Sequence, residues 1–106
     1  MVGGEFMSLQ ELADEKGFFV FGWDLPKDTK EYDYLYMCLL QKWLRDEHGI
    51  HISVDFDSNA HTFRFFLYYQ RKQHPSYFVT YRDFEIFANY QEALQKALTL
   101  ALNEIE

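Results

Sequence analysis

The sequence predicts an α+β domain: an antiparallel sheet of three strands, or four if residues 18–23 join it, with two main helices on one face, in the order (α)(β)αβββα. Two patterns predict the elements. Residues 50–57 and 62–70 alternate apolar and polar side chains at the period of a strand, whereas 31–48 and 89–105 repeat apolar residues at three- and four-residue steps. A packing requirement predicts their arrangement. The inward strand faces and both helix stripes need one shared core, and helices gathered on one side of an antiparallel sheet supply it while leaving the other face open.

Residues 1–6, "MVGGEF", have no periodicity, and Glu5-Phe6 is what an EcoRI cloning site encodes. They are read as vector-derived, with 7–106 as a single domain. Ser8 followed by Glu11 reads as a capping box opening a short helix, "LQELADEK", that Gly17 ends. "FFVFGW", 18–23, is a strand or an extended arm plugging the core, and "DLPKDTKE" is a loop. In the helix 31–48 the buried stripe is Tyr32, Leu35, Tyr36, Leu39, Leu40, Trp43 and Leu44, with Gly49 as the stop. Tyr34, Met37 and Cys38 widen that stripe to more than half the circumference, so this helix is central to the fold or buried on two sides.

"IHISVDF" sets Ile50, Ile52, Val54 and Phe56 against His51, Ser53, Asp55 and Asp57. After the "DSNA" turn, "TFRFFLYYQRK" returns with Phe63, Phe65, Leu67 and Tyr69 inward and Thr62, Arg64, Phe66, Tyr68 and Gln70 outward. A turn at Pro75 leads to a third strand within "YFVTYRDFEIF", broken near Asp83 where the alternation changes phase. The last helix starts at Asn89, with Glu92 supporting the cap, and buries Tyr90, Leu94, Ala97, Leu98, Ala101 and Ile105.

At 106 residues the chain has the length of one domain. Aromatic residues make up 20% of it, so rings supply the core volume and some must lie outside a single small core. The net charge of −7 opposes non-specific attraction to nucleic acid, which requires clustered Lys and Arg. A single cysteine rules out an intramolecular disulfide. With no signal peptide or long apolar run, a soluble cytoplasmic protein that does not contact membranes is expected.

Two resemblances follow from these segments. The order from Glu31 onward resembles a double-stranded RNA-binding domain, a family that carries a lysine cluster at the start of its last helix. Here that start reads "NYQEALQKAL", and the departure removes most of the implied function. "LLQKWLRDEHGIHISV" with "NYQEALQKALTLAL" is similar to small uncharacterised proteins of bacteriophages and Bacteroidetes-type bacteria, which pair a KWLRxxxxIHI-like helix-strand junction with a YxEALxxAL-like C-terminal helix. That resemblance implies no chemistry.

Several clusters invite a chemical reading. His51, Asp55, Asp57 and His61 are of metal-ligand type but lack a recognised spacing, so solvated polar residues on an exposed strand are the favoured reading and no metal or other cofactor is expected. His51 with Asp55 offers acid-base groups on one strand face, without a nucleophile or a phosphate loop, and no catalytic residue is assigned. Cys38, among Tyr34, Met37 and Leu39, reads as an inert thiol. The acidic residues Asp24, Asp28, Glu31, Asp33, Asp46, Glu47, Asp55 and Asp57 suit nucleic-acid mimicry, but interspersed basic residues favour a solvated surface.

The outward set Arg64, Phe66, Tyr68 and Gln70, flanked by His51 and Asp55, is the most informative. Rings beside Arg on an open sheet stack a base or form the centre of a protein interface, unless the 18–23 arm or the first helix folds over them. The acidic balance favours a protein partner over a nucleotide. The expectation is therefore a non-enzymatic binding protein, a phage or mobile-element accessory or inhibitor protein touching a host macromolecule. The alternative is a nucleotide-binding sponge or a small enzyme using the His51, Asp55 and Arg64 face. A homodimer is also expected, hiding either the wide helix 31–48 or the Phe66 and Tyr68 face.

Overall fold

The structure, a computed structural model, describes residues 2–20, 29–71, 74–82 and 86–105, with side-chain environments for 9–20, 29–69 and 86–105. Its elements run α1 (Val2–Glu15), α2 (Lys30–His48), β1 (His51–Asp57), β2 (Thr62–Arg71), β3 (His74–Arg82) and α3 (Tyr90–Asn103). At the start of α2, Thr29 has an extended backbone and its hydroxyl accepts the Tyr32 N–H at 3.2 Å, satisfying an amide donor that the first turn leaves unpaired. The helix ends at Gly49, whose φ of 65° is left-handed. The Gly49 N–H donates to the Arg45 carbonyl and the Ile50 N–H returns to that of Leu44 at 3.1 Å. This closure delivers Ile50 into the core one residue before β1 begins.

β1 and β2 pair antiparallel, with His51 opposite Tyr68, Ser53 opposite Phe66 and Asp55 opposite Arg64. The turn between them is held by Asp57, whose Oδ1 accepts the N–H groups of Asn59 (3.0 Å) and Ala60 (3.3 Å), while His61 takes a left-handed φ of 56°. β3 pairs with β2 and sets Arg82 opposite Phe66 and Thr80 opposite Tyr68, with an irregularity at Gln70/Arg71. Beyond β3 the chain returns to β2, where Phe63 and Phe87 exchange two backbone hydrogen bonds of 2.9 Å.

Phe65, Leu67 and Tyr69 point from β2 into the core, where they meet Leu40 and Leu44 of α2 and Leu94, Leu98 and Leu102 of α3. Ala93, Ala97 and Ala101 recur at four-residue steps on α3 and are fully buried, and small side chains let neighbouring elements approach closely. Leu9 and Ala13 bring α1 into the same core. Phe18 follows, edge-on to Tyr36 with ring centroids 5.4 Å apart and tilted against Trp43 at 5.5 Å.

The α+β class stands, but the expected arrangement, two helices covering the whole of a three- or four-stranded sheet, is overturned. The helices rest mainly on two of the strands: α3 packs on β1 and β2, α2 on β1, and α1 on α3 as a third member of the layer. β3 is hydrogen-bonded to the far side of β2, in the order β1-β2-β3, outside the main helix contacts. The physical reason is that α1 packs on α3, so the layer rests on the sheet chiefly through α2 and α3, on β1 and β2.

Other expectations also change. Of the two readings of residues 18–23, strand or arm, residues 18–20 form the arm, which inserts Phe18 beside α2; residues 21–23 lie outside the described residues. Ser8 does not cap α1, which runs back to Val2 through residues read as vector-derived. Pro75 lies within β3 rather than in a turn, a position an edge strand tolerates because its N–H side need not be paired. The break near Asp83 lies outside the described residues. Leu35, Leu39 and Tyr90, expected to be buried, are 43%, 39% and 37% exposed.

Candidate functional site: the outer face of the hairpin

Alternation along β1 and β2 separates two faces. With Phe65 and Leu67 committed to the core, Arg64, Phe66 and Tyr68 must project from the side opposite the helices. Cross-strand pairing adds His51 beside Tyr68, Ser53 beside Phe66 and Asp55 beside Arg64. His51, Asp55, Arg64, Phe66 and Tyr68 thus gather on one surface. Gln70 belongs to the same strand with its backbone opposite Phe78, and its side chain lies outside the described residues.

The Phe66 and Tyr68 rings are stacked, with centroids 6.3 Å apart and planes 25° from parallel. Both are part-buried, whereas His51, Asp55 and Arg64 are exposed, so an aromatic step sits between polar flanks. Arg64 Nη2 donates to Asp57 Oδ2 at 3.3 Å rather than to Asp55, its partner in register, and Asp55 Oδ1 accepts from the Ser53 hydroxyl at 3.1 Å. The two turn amides, with Arg64 beside them, hold the Asp57 carboxyl below the ordinary carboxylate range. An Asx-turn role for Asp57 was readable in the "DSNA" pattern.

Neither internal cover considered for this face is seen among the described residues, since Phe18 turns toward α2 and α1 toward α3. His51 and Asp55 lie two same-face steps apart along β1, about 13 Å, beyond direct proton exchange. No group of three or more His, Cys, Asp or Glu side chains converges as a metal site among the described residues. No described helix is long and apolar enough to cross a membrane.

A concave feature lies on the helix side of the molecule. An open cavity of about 350 Å³ separates the 18–20 arm from α2, lined by Phe18, Phe19, Val20, Leu39 and Trp43 with Lys42, Asp46 and Glu47. Sequence reasoning missed it because Leu39 was assigned to the core. The signal was the excess width of the α2 stripe beside an apolar arm. Compared with protein-family models, curated proteins and solved structures, the chain matches none.

Proposed function

We propose that the protein is a non-enzymatic binding protein whose outer hairpin face contacts a protein partner. The stacked Phe66–Tyr68 pair carries this reading: two rings stand on the face away from the helices, ringed by the exposed polar groups of His51, Asp55 and Arg64. Tyr and Phe at the centre of a patch, with Arg and other polar groups around it, is a usual composition of a protein interface. The resemblance of the helix-strand junction to small phage-type proteins, together with the net charge of −7, supports an accessory or inhibitor role toward a host macromolecule.

Nucleotide binding is the second reading, favoured by the same stacked rings beside a guanidinium. Against it, Arg64 is engaged by Asp57, and Asp55 sets a second carboxylate directly opposite Arg64, which opposes an anionic phosphate beside it. One experiment separates the two. Affinity capture from a native lysate is run with the wild-type chain and with Tyr68→Ala, and small molecules released on denaturing the purified wild type are identified by mass spectrometry. A protein held by the wild type and lost with Tyr68→Ala supports the first reading, whereas a stoichiometric nucleotide lost with Tyr68→Ala supports the second. Capture indifferent to Tyr68 with no nucleotide released would remove both.

A further inference from the structure

Helix α2 carries a second apolar strip on the side turned away from the core. Tyr34, Leu35 and Leu39 are 41%, 43% and 39% exposed, and Cys38 is half-buried among them. With about 3.6 residues per turn, Glu31, Leu35, Cys38, Leu39 and Lys42 fall on one side of the helix. From the N-terminus this side reads acidic, apolar, apolar, apolar, basic, with Asp46 one turn beyond Lys42, and both Glu31 and Lys42 are exposed.

Such an order complements itself in one orientation. Turned end for end, a second copy sets its Lys42 against Glu31 and its Glu31 against Lys42 while the leucines meet between them. Parallel packing would instead place like charges together. Lys42 is at present paired with Asp46 four residues later, 63% and 43% exposed. That pair has the less favourable order, cation before anion, and is solvent-screened, so an interchain carboxylate can compete for Lys42.

We propose that this strip is a self-association surface on which a second copy of the chain docks its own α2 antiparallel, with Glu31 opposite Lys42 across the pair and Leu35 and Leu39 around the two-fold axis. In that register the two Cys38 residues flank the axis. At ordinary helix-packing distance their Cα atoms lie about 10 Å apart.

Sedimentation equilibrium of the full chain across the micromolar range tests this. Glu31→Lys and Lys42→Glu should each weaken the dimer about tenfold, since each removes two symmetry-related pairs and adds repulsion. The double swap should restore it to within about threefold, which neither a folding defect nor an unrelated docking site would do. Tyr68→Ala on the outer sheet face should leave the dimer unchanged. Because Cys38 is the single cysteine, a short bis-maleimide should couple wild-type dimers covalently through it. A concentration-independent monomer, single swaps without effect, no restoration in the double swap, or a dimer that the reagent fails to couple would each overturn the assignment.

Discussion

Arg64 Nη2 lies 3.3 Å from Asp57 Oδ2, reaching diagonally past Asp55, the residue that the strand register sets directly opposite it. The pair ties β2 to the turn, because the other oxygen of Asp57 accepts the Asn59 and Ala60 amides. The positive side of the outer face is thereby anchored at the turn end of the hairpin, leaving Phe66 and Tyr68 as its centre.

The Asp57 carboxyl is held down chiefly by the two turn amides and further by Arg64. A carboxyl with a depressed native pKa contributes stability that is present above its ordinary range and is lost as pH falls through the native value. Asp57→Asn should therefore melt below the wild type at pH 7, and the gap should close as the pH is taken below about 4. Thermal melting at a series of pH values checks this, and a gap that widens in acid would contradict it.

Phe65 is fully buried between the sheet and α3, whereas Arg64 stands on the solvent side. Phe65→Ala should cost about 3 to 5 kcal/mol, transfer and cavity together. Arg64→Ala should cost less than about 0.5 kcal/mol, and Tyr68→Ala roughly 0.5–1.5 kcal/mol through the lost stack with Phe66. Denaturant unfolding of the three variants gives the ranking directly.

The caps make a separate test. Gly49 has a φ of 65° with open space where a Cβ would stand, so Gly49→Ala should cost about 1–2 kcal/mol through backbone strain alone. Gly49→Asn should cost less, because Asn visits that region routinely. The Asn89 Oδ1 accepts the Glu92 N–H at 2.9 Å, and Asn89→Ala should cost about 1 kcal/mol. Urea midpoints with unchanged slopes would show these to be stability effects.

Burial, with the nearby Asp14 carboxylate and Tyr32, raises the Tyr36 hydroxyl above the ordinary phenol range. A group whose native pKa is raised contributes stability that is intact below its unfolded value and is lost as pH rises past it. The wild type should therefore lose Tm above about pH 10 more steeply than Tyr36→Phe. Parallel melting curves for the two proteins in alkali would refute the assignment.

Much of this molecule was legible in local pattern. Phe65, Leu67 and Tyr69 alternate with Arg64, Phe66 and Tyr68, and a period of two leaves a strand only two ways to face once one set is apolar enough to be buried. Gly49 and Asn89 marked helix ends because a left-handed stop and a side-chain amide acceptor are local requirements. Tertiary packing decided the rest. The α2 stripe was wider than the core could cover, and only the seating of α3 and Phe18 determined that Tyr36, Leu40 and Leu44 are buried while Leu35 and Leu39 stay at the surface. The third helix of the layer, the strand left outside it and the diagonal reach of Arg64 to Asp57 depend on contacts between residues far apart in the chain or across strands. Periodicity reports the phase of each element about its own axis, but which part of a broad apolar face is covered depends on the other elements that arrive there.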